Sequence, residues 1–319
     1  MKALRFTGKE LALDEVEKPS QNYESLVRVV LSGICNTDLE IVRGYAGFEG
    51  TIGHEFVGIV ETSPDAPALV GKRVVGEINV GCGRCDLCLA GDSRHCFERT
   101  VLGIKGRDGA HAEFLTLPSR NLITVPDDVS NTAAVFAEPL AAAYGISEQV
   151  KLGRDTKAAV IGDGKLGILC AICAALDSDN VCLVGKHESK LAIAEKQGIE
   201  GILLDDKSSN LNKTFDVVIE ASGSESGFAT ALDLVKPRGK IVLKSTFQGK
   251  PVWEAWRVVV DEITVIGSRC GRMAPALELL QEMKVRVDDL IDEEFSLANG
   301  VKAVGYAGRK GTLKVLLRP

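Results

Sequence analysis

The sequence predicts an α/β chain in which a doubly wound parallel sheet is joined to a mostly β region, and three observations predict it. The strand-like run Lys157-Ala-Ala-Val-Ile161 leads into Gly162-Asp-Gly-Lys-Leu-Gly167 and then an apolar helical run to Leu176, so a G-x-G-x-x-G lies between a strand and a helix. Strand and helix patterns then alternate as far as Arg269, as a parallel sheet requires. The first third of the chain, and its last residues, instead read as strands and turns.

Length and composition bound the reading. At 319 residues the chain is long enough for two domains. Its 45% hydrophobic and 26% charged content is that of an ordinary globular protein. The net charge is −6 with both signs mixed, so no basic stripe is available for a nucleic-acid backbone. The N-terminus alternates like a strand rather than showing a charged stretch before an apolar run, which argues against a signal peptide. No apolar run reaches membrane-spanning length. Nine cysteines in such a chain fit a reducing compartment with some thiols assigned to metal, and a cytoplasmic location is expected.

Taken in order, the β-rich run Leu26-Val-Arg-Val-Val-Leu31 ends at Ser32-Gly33, and Cys35 follows to open a helix. Thr37 and Asp38 are residue types that favour a helix N-terminus. Further on, His54 and Glu55 stand just before another strand. Only four histidines occur, and His54 lies inside Gly-His-Glu-Phe-Val-Gly. Glu138 follows in Phe136-Ala-Glu-Pro-Leu140. A catalytic zinc takes three protein ligands and keeps one position open, so Cys35, His54 and Glu138 form a candidate set. His95 and His111 read as loop and structural residues.

Between these stand Cys82, Cys85, Cys88 and Cys96, spaced C-x2-C-x2-C-x7-C. Four thiolates in a glycine-bearing loop make a closed tetrahedral zinc site. The compartment argues against disulfides. The seven-residue gap, with no proline after Cys96, is not the ferredoxin pattern.

In the middle of the chain, Gly162 permits the tight turn, Gly164 lets backbone approach a pyrophosphate, and Gly167 allows close helix–strand packing. The helix that opens at Lys165 and Leu166 turns its N-terminus to the phosphates. Cys170 and Cys173 on it read as core. After the next strand, Asn180–Val184, an acid is expected to hold the adenosine ribose of NAD. That position is Gly185, and Lys186, His187 and Lys190 follow, so the sequence predicts NADP over NAD. Strands at Thr214–Glu220, Ile241–Thr246 and Ile263–Arg269 complete the sheet. An amphipathic helix, Ala274–Met283, and a strand, Gly311–Leu317, end the chain.

Gly-Ile-Cys-Asn-Thr-Asp, Gly-His-Glu-Phe-Val-Gly, the four-cysteine loop and Glu-Pro-Leu, in this order, resemble the zinc-dependent medium-chain dehydrogenase/reductase family, and Glu-Pro-Leu resembles its polyol and sugar dehydrogenase branch. The resemblance runs along nearly the whole chain. It implies a discontinuous GroES-like catalytic domain over 1–140 and 271–319, with a structural-zinc lobe at 81–96, and a Rossmann domain over 141–270. It implies that Cys35 and His54 bind a catalytic zinc, with Glu138 as third ligand or holding the zinc-bound water, and Glu55 close to the metal and able to exchange on and off it, so that the choice between Glu55 and Glu138 as ligand stays open. It further implies that Asp38 fixes the His54 tautomer and that Thr37 takes the substrate proton. A histidine that passes this proton to solvent in many relatives is replaced by Glu40. By the same resemblance Ser268, Arg269 and Cys270 lie near the nicotinamide and Lys314 near the cofactor phosphates. The implied function is hydride transfer between NADP(H) and an alcohol or polyol, or the corresponding carbonyl, in a homodimer or homotetramer. The rivals are a zinc-free enone or quinone reductase and a non-catalytic NADPH-binding protein. For the oligomer, the run Arg257–Ile266 is a candidate edge strand.

Overall fold

The computed structural model describes residues 1–20, 23–204, 211–246 and 253–319, and the chain divides into two compact units. One comprises Met1–Glu138 with Met273–Pro319, the other Pro139–Arg272. The chain passes from the first to the second within the helix Ala137–Tyr144.

The first unit holds β1 (Lys2–Phe6), β2 (Leu11–Glu15), β3 (Ser25–Ile34), β4 (Gly50–Thr51), β5 (Glu55–Thr62), β6 (Arg73–Gly76), β7 (Asn79–Val80), β8 (Thr100–Val101), β9 (Phe114–Leu117) and β10 (Leu122–Thr124). The second holds β11 (Lys157–Ile161), β12 (Asn180–Gly185), β13 (Glu200–Leu203), β14 (Phe215–Glu220), β15 (Val235–Leu243) and β16 (Thr264–Gly267). The chain then returns to the first unit with β17 (Ile291–Ser296) and β18 (Lys314–Arg318).

In the first unit the main sheet runs β10-β6-β5-β3-β18-β17, with β9 also paired to β3. β18 is antiparallel to β3 and parallel to β17. Interior placement explains why Val315, Leu316 and Leu317 are all buried rather than alternating. Leu4, Phe6, Ile34, Ile41, Ile52, Val304, Val315 and Leu317 pack into one core there.

In the second unit six parallel strands run β13-β12-β11-β14-β15-β16. This is the 3-2-1-4-5-6 order of a doubly wound sheet, whose direction of winding reverses beside β11. β11 is central, so Ala158–Ile161 form an uninterrupted buried run. Helices Lys165–Ala175, Glu188–Glu195 and Gly227–Leu234 supply the crossovers.

The candidate edge strand at 257–266 is strand only from Thr264 on. Ala255–Val260 is a helix and β16 starts at Thr264. Arg257 pairs with Asp233 and Glu254, and Val258 packs on the core of this unit. Those contacts outweigh the β preference of three consecutive valines. Among the described residues no helix is long and apolar enough to cross a membrane.

Candidate metal and dinucleotide sites

Strand register builds the first cluster. β3 and β5 pair antiparallel with Gly33 opposite Glu55, so Cys35, just past the end of β3, lies beside His54 and Glu55 at the start of β5. One ligand atom each from Cys35, His54 and Glu55 lies within 4.8 Å of the others. A Cβ at position 33 would come within 2.5 Å of Glu55 Oε2, so a glycine there leaves room for the carboxylate. Glu55 is the carboxylate in this group; Glu138, in the first turn of the helix Ala137–Tyr144, is not part of it.

Around the cluster the side chains are ordered by Asp38, which is fully buried. It accepts the Cys35 N–H at 2.7 Å and the Gly53 N–H at 3.1 Å. Its oxygens lie 3.4 Å from His54 Nδ1 and 3.5 Å from His111 Nε2. Burial pushes the Asp38 carboxyl up, but the two imidazoles outweigh it and hold the group far below the usual carboxylate range. His111, expected to be structural, is fully buried and meets Ser32 Oγ at 2.9 Å through Nδ1. The Thr37 hydroxyl lies 3.8 Å from Cys35 Sγ. Glu40 is bonded to Arg43 at 2.7 Å.

Lys314 is fully buried, forms an ion pair with Glu55 Oε2, and lies 5.4 Å from the Phe136 ring. Interior β18 delivers it into the first unit. Glu55 Oε1 and His54 Nδ1 are buried without a hydrogen-bond partner. A cation near Cys35 would satisfy the free carboxylate oxygen, so the donor set fits a metal.

Cys82, Cys85, Cys88 and Cys96 form the second cluster, again within 4.8 Å of one another. Backbone N–H groups of Arg84 and Cys85 hold the Cys82 thiol below its ordinary range, while, against the Gly83 N–H, desolvation and its sulfur neighbours push Cys88 above it, as thiols crowded together do until a cation stands between them. Four sulfurs with no competing donor fit a closed zinc site. All nine cysteines are free.

In the second unit the glycine motif sits at the end of β11. Gly162 has φ of +113°, and a Cβ on Gly167 would lie 1.8 Å from the Gly162 carbonyl oxygen. A Cβ on Gly164, which caps the helix beginning at Lys165 and Leu166, would meet nothing within 4 Å. Tight turn, close packing and open approach fit a dinucleotide pyrophosphate. Ser268 and Arg269 follow β16, where Lys244 Nζ donates to the Arg269 and Ala142 carbonyls at 2.8 and 2.7 Å. The sequence reading passed over Lys244, whose position in a β run gives no sign of this anchoring.

It also passed over Asp163, inside the motif itself. Asp163 Oδ2 accepts the N–H groups of Lys186 and His187 at 2.6 and 2.7 Å, and His187 Nδ1 lies 3.0 Å away. A Cβ at Gly185 would come within 2.6 Å of that carboxylate. Burial pushes the Asp163 carboxyl up, but the His187 ring and the two N–H groups outweigh it and keep the group below its ordinary range. The NADP expectation counted an acid as missing beside β12; the structure puts one there from another position. Lys186 is exposed and Lys190 half-buried.

Residues 21–127 match the alcohol dehydrogenase GroES-like domain and residues 166–284 the zinc-binding dehydrogenase domain. The chain is 28% identical to a sorbitol dehydrogenase of Halalkalibacterium halodurans, over 100% of this chain and 98% of that one. It is 33% identical to an L-threonine 3-dehydrogenase of Coxiella burnetii, over 80% and 78%. A Sinorhizobium meliloti zinc-binding dehydrogenase solved with NADP superposes with a TM-score of 0.88 at 27% identity, over 100% and 99%.

Proposed function

The chain belongs to the zinc-binding medium-chain dehydrogenase/reductase family, and from that premise we propose that it is a zinc-dependent dehydrogenase of small alcohols or polyols. As a family member it is an oxidoreductase that transfers hydride with a cofactor of the NAD(P)H class. The observation that carries the zinc reading is the cluster of Cys35, His54 and Glu55 with one buried carboxylate oxygen left unpartnered. The relatives named for sorbitol and L-threonine support a small, polar, secondary alcohol as substrate.

When bound, zinc supplies a Lewis acid for the substrate oxygen, and the dinucleotide carries the hydride. The protein's own residues do the rest. Cys35, His54 and Glu55 would hold the metal, and Cys82, Cys85, Cys88 and Cys96 would hold a second, structural one. Asp38 orients His54 and the Cys35 backbone. Thr37, beside Cys35, takes the substrate hydroxyl proton. The Arg43 pairing of Glu40 favours onward release through the cofactor ribose and water over a Glu40 relay. Gly162, Gly164 and Gly167 seat the pyrophosphate against the helix N-terminus, and Lys244 fixes the Ser268–Arg269 segment. Lys186, His187 and Lys190 by themselves favour NADP, while Asp163 opposes it. Two complete donor sets speak against the zinc-free and binding-only readings.

Nine free thiols support a cytoplasmic location. Trp256, Val259 and Val260, exposed on the helix Ala255–Val260 that precedes edge strand β16, support a homo-oligomer.

Zinc content, measured beside turnover on an alcohol and polyol panel, tests the reading. Two zincs per chain are expected in the parent and one in Cys35→Ser, with turnover lost in the variant. One zinc in both proteins would sink the proposal.

A further inference from the structure

Resting on the dinucleotide reading above, we propose that Asp163 is the residue that makes this chain select NAD over NADP, acting as a relocated ribose acid. In a doubly wound sheet the adenosine ribose lies at the end of the second strand, where an acid accepts the 2′-hydroxyl and repels a 2′-phosphate. That strand is β12, and it ends at Gly185.

Three observations show that position 185 has been exchanged for position 163. A Cβ at 185 would stand 2.6 Å from both Cβ and Oδ2 of Asp163, so the two positions cannot both carry an acid in this geometry. The Asp163 carboxylate already fills the pair of N–H donors at Lys186 and His187. Those donors are the ones the turn after β12 would offer to a phosphate. His187, one of the three bases that favoured NADP, turns its ring to Asp163 instead, with Nδ1 3.0 and 3.2 Å from the two oxygens.

The charges then decide the preference. A 2′-phosphate would have to displace the carboxylate from its two N–H groups or sit against it. The carboxylate is fixed and nearly buried, with its side chain 10% exposed. Lys186 is exposed, and its attraction is screened by solvent. A 2′-hydroxyl meets no such conflict, because it donates a hydrogen bond to Asp163.

The test is direct binding of reduced dinucleotide to the full-length, zinc-loaded protein, read by nicotinamide fluorescence and needing no substrate. Kd for NADH is expected to be at least about tenfold below that for NADPH, the scale of one like-charge contact at partial exposure. Asp163→Ala and the near-isosteric Asp163→Asn should each cut that ratio about tenfold, mainly by tightening NADPH. The double variant Asp163→Gly/Gly185→Asp should restore it, since the acid returns to 185 and glycine at 163 removes the Cβ as well as the carboxylate that a side chain at 185 would meet. NADPH bound as tightly as NADH by the parent, or an unchanged ratio in both single variants, would overturn the proposal and leave the dehydrogenase reading standing. Equal weakening of both dinucleotides would make Asp163 a loop anchor and overturn it too. Binding of neither by the parent would overturn both readings.

Discussion

At the scale of single residues, the Glu55–Lys314 pair is the contact most exposed to test. Both partners are fully buried, so removing one leaves a charge without water or counterion. Lys314→Met should therefore cost about 3–5 kcal/mol in denaturant unfolding of zinc-free protein. The loss should shrink in zinc-loaded protein, where Glu55 has a second cation to face; an equal loss in both would detach Glu55 from the metal. Asp38→Asn removes the negative charge between two imidazoles and should lower zinc affinity or turnover about 10–100-fold, measured by zinc competition and steady-state kinetics. Cys35 and His54 were legible because His54 is one of only four histidines, it lies within Gly-His-Glu-Phe-Val-Gly, and the motifs around both follow the family order. Glu55 was expected close to the metal, with the choice between it and Glu138 as ligand left open. The burial of Lys314 was not legible because its partner is 259 residues away in sequence, and no local pattern announces that distance. Asp163 was hidden in a motif whose glycines draw the attention.

Secondary-structure elements set where these residues meet. The β3–β5 register brings Gly33 opposite Glu55, and the carboxylate occupies the space a side chain at 33 would need. Gly33→Ala should keep the strands paired but push the carboxylate aside, weakening zinc at the Cys35 cluster about 10–100-fold while the four-cysteine site stays filled. Zinc counting on the variant checks this, and a variant that keeps two zincs with parent affinity would refute it. Local patterns did announce β11, the glycine turn and its helix, since propensity and tertiary role agree there. They failed over 255–260, where valines that favour a strand are held in a helix by an arginine pair and one core contact.

For the molecule as a whole, the strand–helix alternation was sufficient to predict the doubly wound sheet, and the ordered motifs the family. Sequence could not show which strands become neighbours in the first unit, because antiparallel pairing across long separations leaves no periodic trace. The assembled surface carries its own prediction. Trp256 and Val260, in the helix that precedes edge strand β16 in the chain, are 63% and 69% exposed. Sedimentation should show a dimer or tetramer, and Trp256→Glu/Val260→Glu should shift it towards monomer with zinc content unchanged. A parent that sediments as a monomer would remove the edge from consideration.

β18 also has a consequence for biosynthesis. It lies between β3 and β17, and it carries the lysine that faces Glu55. A nascent chain can complete the six-stranded unit, whose residues end at Arg272, while residues 314–318 are still inside the ribosome. The Cys35 cluster cannot reach its final form until that strand has emerged. The buried pair is thereby made a late event of synthesis, whereas Cys35, His54, Glu55 and the four cysteines are all in hand more than 200 residues earlier.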